Sequence, residues 1–191
     1  MRRGALVALS CLGFSCVPWT VVPIDEETPQ SRTADPVSYV ESIWDSRLLP
    51  TVAEKAVDLA AARSSQAAGQ GPVFLVRGKG RVLEHDTQSR SGKLLIDVEP
   101  LDGEADVAIL VGPVILGTSL RDAAGFINFT DFANQLAFAD VANELNRRVL
   151  EKVVAPLDLD TLPGSPVTFQ GACTFPANGL PELTPIILEA E

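Results

Sequence analysis

Polar side chains crowd one stretch of this chain, which carries Arg121, Asp122, Asn128, Asp131, Asn134, Gln135, Asn143 and Asn146. Guanidinium, carboxylate and carboxamide groups at this density supply both donors and acceptors, which is what a site needs to grip a polar solute. Helical spacing sorts them. Asp131 and Asn134 continue the line of Phe138, Val141 and Leu145, so they are expected to face the protein body, with Gln135 one turn from Asp131. A body-facing carboxylate must find partners or carry a desolvation cost of about 1–3 kcal/mol. Two readings follow. In one, Arg121, Asp131, Asn134 and Gln135 line a small ligand pocket. In the other, the same groups satisfy irregular backbone between Gly112 and Gly125, with Arg121 paired to Asp122 or Asp131. Most buried polar groups are paired within the protein, which favours the second reading.

Signatures of catalysis are weak. His85 is the only histidine, so neither a Cys/His metal set nor a Ser-His-Asp arrangement is anchored by spacing. Gly78-Lys79-Gly80 lacks the glycine spacing of a phosphate loop and opens no helix. Asp97 with Glu99, and Asp102 with Glu104, read as solvated strand edges and turns. Phe126, Phe129 and Phe132 could stack on a ring, although core packing is the commoner use of clustered Phe. No catalytic residue, metal or cofactor is assigned.

The elements that must hold these residues follow from hydrophobic period. Asp35-Pro36 opens a helix with Val37, Val40, Ile43 and Trp44 on one face. Pro50 interrupts it. Thr51 to Glu54 reads as a capping box that starts a second helix, ending near Gly69 to Gly71. Strands follow at Val73 to Glu84, at Leu94 to Val98 and at Val107 to Val111, continuing past Gly112-Pro113 through Val114 to Leu116. Gly78 and Gly80 suggest a bulge or bend. From Asn128 to Val154 the period is helical, with Asn128 or Thr130 as N-cap and Pro156 beyond the end. Two more strands run from Val167 to Phe175 and from Leu183 to Glu189. Three strands, a helix and two strands is the order of an OB-fold barrel. The expected fold is therefore α+β and β-rich: a five-stranded OB-like barrel (β-β-β-α-β-β) preceded by two helices, in a single domain over 35–191.

Composition agrees with a globular chain. Hydrophobic residues make up 46% of its 191 residues and charged residues 21%, with a net charge of -10. That acidity disfavours nucleic acid and basic-patch binding to lipid headgroups. The amino terminus is of a different kind. Met1-Arg2-Arg3 is basic, Gly4 to Phe14 is apolar, and Ser15-Cys16 closes the run, which is the layout of a lipoprotein signal peptide over 1–16 with acylation at Cys16. Ala8-Leu9-Ser10-Cys11 also fits the pattern but leaves a shorter apolar run. Residues 17–34, proline-bearing and then polar, read as a tether. The partner so implied is the lipid bilayer, through an N-terminal acyl anchor on the periplasmic side of a bacterial cell envelope. Cys173 would then be the remaining thiol, in an apolar strand where a buried, inert role is expected.

One further signal lies in the segment Gly112-Pro113-Val114-Ile115-Leu116-Gly117-Thr118-Ser119-Leu120-Arg121-Asp122, continuing through Phe129 to Gln135. With Tyr39-Val40, Ile43-Trp44, Val76 to Gly80 and Thr184-Pro185, it resembles an uncharacterised family of bacterial periplasmic lipoproteins. The resemblance covers roughly Asp35 to the carboxyl terminus. It implies an OB-like fold and genes that often neighbour those of sugar ABC transporters, hence a non-enzymatic accessory binding module near solute uptake, with a sugar or a transporter component as partner. Two other classes remain open: an envelope carbohydrate-active enzyme using paired carboxylates, and a structural envelope interaction protein.

Overall fold

A computed structural model describes residues 35–190. The signal peptide expected over 1–16, acylation at Cys16 and the tether over 17–34 lie outside the described residues.

Helix α1 (Pro36–Ile43) begins as its sequence dictates, with the Asp35 carboxylate accepting the Ser38 amide at 3.0 Å and Pro36 in the first turn. It does not stop at Pro50. A π-helical turn, Trp44–Leu48, joins it to α2 (Leu49–Lys55), and the Leu49 amide reaches back five residues to the Trp44 carbonyl. The widened turn lies directly before the proline, where a regular turn would bring the ring against the carbonyl four residues earlier. Thr51 is thus inside a helix and caps nothing. The second helix expected from Thr51 to Gly69 is instead broken at Ala56, which is extended. Val57–Asp58 forms a short strand, β1, parallel to Val76 and Arg77, before α3 (Leu59–Ala67) resumes. Inter-strand bonds replace helical ones there, a tertiary exchange that no local breaker announces.

Strands β2 (Val73–Asp86), β3 (Lys93–Val98) and β4 (Val107–Leu110) form an antiparallel meander. Strand β4 then pairs in parallel with β6 (Glu182–Ala190), β6 antiparallel with β5 (Pro166–Thr174), and β5 antiparallel with β2. The five strands β2 to β6 thereby close into a barrel, and the fold is α+β, β-rich and OB-like as expected. Val76, Val82, Leu94, Ile96, Ile109, Leu183 and Leu188 are among its buried side chains. Gly78 and Gly80 mark close approach and not a bulge: a Cβ on Gly78 would strike the Phe169 ring, and one on Gly80 the Asp97 carbonyl. The register shift of β2 falls later, between Val82 and Glu84.

Between β4 and β5 the chain departs from expectation. Val114 to Leu116 is irregular and not a strand. A six-residue helix, α4 (Ser119–Ala124), follows, ended by Gly125 in the left-handed conformation at φ 71°. The long helix α5 (Gln135–Val149) starts seven residues later than expected, and Asn134 caps it by accepting the Ala137 amide at 2.9 Å. Its stripe of Val141, Leu145 and Val149 is fully buried. A second π-helical turn, Leu150–Val154, carries the helix on to Pro156.

Candidate functional site

The late start of α5 changes the reading of the polar cluster. Asp131 lies in a single 3-10 turn (Phe129–Asp131), where it accepts the Asn128 amide at 3.3 Å. It, Asn134 and Gln135 are all exposed, so none of the three faces the protein body. The periodic line fails because residues 128–134 are not helical in register with Phe138. Arg121 is the inward member. Its guanidinium stacks 3.9 Å from the Phe138 ring centroid, donates to the Phe138 carbonyl at 3.2 Å and pairs with Asp122 at 2.9 Å. Together these contacts tie α4 to α5. Asn146 does what the second sequence reading asked: buried on α5, it donates to the carbonyls of Ile115 (3.2 Å) and Gly117 (3.0 Å) and pins the irregular crossing. Neither cavity described below is lined by Arg121, Asp131, Asn134 or Gln135.

The three phenylalanines divide. Phe132 is buried, edge-on to Tyr39 at 5.0 Å, Phe126 lies under the Arg47 guanidinium, and Phe129 is 52% exposed. Burial, with the Asp131 carboxylate adding to it, raises the Tyr39 phenol above its ordinary pKa. His85 is not a free surface group, since its Nδ1 lies 3.2 Å from the Asp160 carboxylate. Cys173 is buried as expected, and burial pushes its thiol up to about 12. A thiol held neutral is a poor nucleophile.

A sizeable concavity lies elsewhere, in an open cleft of about 990 Å³ on the outside of β2, β5 and β6. Barrel register builds its floor. Arg77, Gln170 and Ile187 stand side by side across the three strands, and two residues along stand Lys79, Thr168 and Glu189. Directly paired residues share a face of the sheet, so these six project together. One wall is the start of α3, with Asp58, Leu59 and Arg63; the other is the end of β3 and its loop, with Val98, Glu99, Asp102 and Asp106.

Asp97 holds that loop in place. It was read as solvated but is 2% exposed, and its carboxylate accepts the amides of Asp102 (3.3 Å) and Gly103 (2.8 Å). Asp106 fastens the other end by accepting the Val98 amide at 3.0 Å. The loop folds back over the strand, which is why a residue at a strand edge becomes buried. Arg63 lies 3.6 Å from the Asp106 carboxylate and donates to its carbonyl at 2.8 Å, while Arg77 lies 3.6 Å from Asp58. Gln170 Oε1 is buried and accepts no hydrogen bond from the described residues. A smaller hollow of about 370 Å³ lies between α3 and the loop joining β5 to β6. OB barrels often bind ligands on the face of their second and third strands, here β3 and β4. In this protein Asp97, Ala108 and Leu110 on those strands are buried.

A closed barrel of this topology, capped by helices, defines an OB-fold protein. Over 84% of this chain and the whole of the other, it is similar to the crystal structure of an OB-fold protein from Thermotoga maritima MSB8, with a TM-score of 0.66 and 22% identity. That likeness concerns the fold alone. Residues 6–189 match the family described as predicted periplasmic lipoprotein (DUF2291), and the chain belongs to that family. No curated protein matches it.

Proposed function

We propose that this chain is a non-enzymatic accessory module that binds a small solute on the periplasmic side of the envelope. In this reading Cys16 is acylated, residues 17–34 tether the domain, and the domain serves a solute uptake system, with a sugar as the first ligand class to test. The observation that carries it is the cleft on β2, β5 and β6, whose volume of about 990 Å³ is at the upper end for small-molecule sites. Its polar floor, with apolar surface at Leu59, Val98 and Ile187 and carboxylates on both walls, suits a polar organic molecule better than a nucleic acid, whose phosphates those carboxylates repel. His85 and Cys173 are not among its lining residues, which supports binding over covalent chemistry.

Thermal unfolding of the full chain in detergent, against a panel of sugars and sugar phosphates, tests this. A ligand at about a hundred times Kd adds about 2.7 kcal/mol to stability. A saturable shift should disappear in Thr168→Phe, which fills the floor, and persist in Asp131→Ala. Loss of the shift in Asp131→Ala alone would move the site to the start of α5. A panel without any shift would defeat the solute reading. The enzyme alternative is favoured by the several carboxylates sharing this cleft, and it requires cleavage of a glycoside when the full chain is incubated with envelope carbohydrate.

A further inference from the structure

Apolar side chains are left bare at the end of the domain where residues 17–34 join it. Leu136 is 70% exposed, Phe129 52% and Val37 47%. The three belong to different elements, but one aromatic cluster gathers them. Tyr39, two residues beyond Val37 on α1, meets Phe132 edge-on at 5.0 Å, and Phe138 lies 5.7 Å from both Phe132 and Phe129. Leu136 is in the first turn of α5, two residues before Phe138. Each of these groups gains by leaving water for an apolar medium. The chain itself indicates which medium. The eighteen residues 17–34 lie between Cys16 and Asp35, and Asp35 stands two residues before Val37. A segment of that length reaches at most about 60 Å. An acyl group on Cys16 therefore keeps this end of the domain within reach of the bilayer, at a high effective concentration. Charge defines the kind of contact. The carboxylates of Asp35, Glu41, Asp122 and Asp131 belong to this end, against Arg47 and Arg121, whose guanidinium groups stack on Phe126 and Phe138. Attraction to anionic headgroups is thus not what this face offers.

We infer that this end of the domain is a membrane-contact face, with Val37, Phe129 and Leu136 dipping into the lipid interface beside the anchor. The inference rests on the acyl-anchor part of the reading above and is independent of the solute cleft. Apolar side chains on amphipathic surfaces enter the boundary between headgroups and acyl chains, and a fluid boundary requires no matching shape from a partner. The anchor holds the protein at the bilayer, and the contact orients the domain on it.

The test is tryptophan fluorescence of the full chain, purified from membranes in detergent and returned to phosphatidylcholine vesicles with and without brominated acyl chains, which quench indoles that touch them. The parent chain contributes Trp19, three residues after Cys16, and Trp44, which is buried in the domain. Quenching of the parent reports lipid at the amino terminus. Phe129→Trp and Leu136→Trp, made separately, should each add emission that brominated lipid removes. Leu101→Trp, on the exposed loop beside the cleft, should add emission that survives. The quenching should be the same with phosphatidylglycerol present and at high salt, because apolar insertion is not screened. Unfolding midpoints of the variants, measured alongside, confirm that each is folded. Added emission from positions 129 and 136 that is unquenched and solvent-like overturns the inference, since the face is then bare. Added emission that is unquenched but blue-shifted also overturns it, and gives the face to a second copy or to the chain's own residues 17–24. Equal quenching at position 101 would mean that the domain has no preferred face on the membrane, and quenching that vanishes at high salt would mean an electrostatic contact; either overturns it. A parent chain without any quenching overturns the anchor reading itself, whereas a quenched parent with unquenched added tryptophans overturns this inference alone.

Discussion

Cys173 shows how a single residue couples to the whole fold. Its side chain is inaccessible in the barrel wall, and desolvation raises the thiol from 9.0 to about 12. In the unfolded chain the same thiol ionises near its ordinary value. Between pH 9 and 12 the unfolded state therefore sheds a proton that the native state keeps, and stability must fall as pH rises through that window. The stabilisation is complete below pH 9 and declines by about 1.4 kcal/mol per pH unit above it. Denaturant unfolding at several alkaline pH values should show this slope in the parent chain and a shallower one in Cys173→Ala. Equal slopes would mean that the thiol ionises in the native state. At the same scale, Asn146→Ala should destabilise by about 1–3 kcal/mol, because it strands two carbonyls of the irregular crossing. An unfolding midpoint unchanged in that variant would show that the crossing holds without it.

Among elements, the loop from Glu99 to Asp106 is held at its tip by one buried group, Asp97. Its Asp102 and Gly103 amides end on the Asp97 carboxylate, and the loop forms a wall of the cleft. Asp97→Ala should therefore speed hydrogen exchange at Asp102 and Gly103, while amides in the β2–β5 ladder keep their protection. Uniform loss of protection would instead mark Asp97 as a determinant of the barrel itself. Helix α5 teaches a different lesson at this scale. Asn128, Thr130 and Asn134 are all chemically able to cap a helix, and the local sequence does not rank them. The structure uses Asn134, and with that start Phe132 lies outside the helix and packs edge-on against Tyr39. The displacement of one cap moved Asp131, Asn134 and Gln135 from the expected inner face to the surface.

For the molecule as a whole, the proposed membrane anchor is the feature most open to direct test. Cys16→Ser should transfer the protein from the membrane to the soluble periplasmic fraction, and Cys11→Ser should leave it in the membrane. The opposite pattern would assign acylation to Cys11, and membrane retention of the double variant would remove the acyl anchor altogether. One acyl chain holds a protein only marginally and several together hold it stably, so if the acylated cysteine carries the whole anchor, its loss should release the protein nearly completely.

What the sequence determined by itself was the barrel. Alternation at Leu94, Ile96 and Val98, the turn glycines at Gly92 and Gly103, and the stripe from Val141 to Val149 are local patterns of period 2 and 3.6, and a chain shows them without being folded. The order of those patterns then left few topologies to consider. The cleft was decided only by tertiary structure. Arg77, Gln170 and Ile187 are distant in sequence and become neighbours because β5 pairs with both β2 and β6 when the barrel closes. Asp58 and Arg63 join them because a helix without a visible breaker gives way at Ala56 to a short parallel strand. Register across a closed sheet is a property of the whole barrel, and no window of the chain contains it.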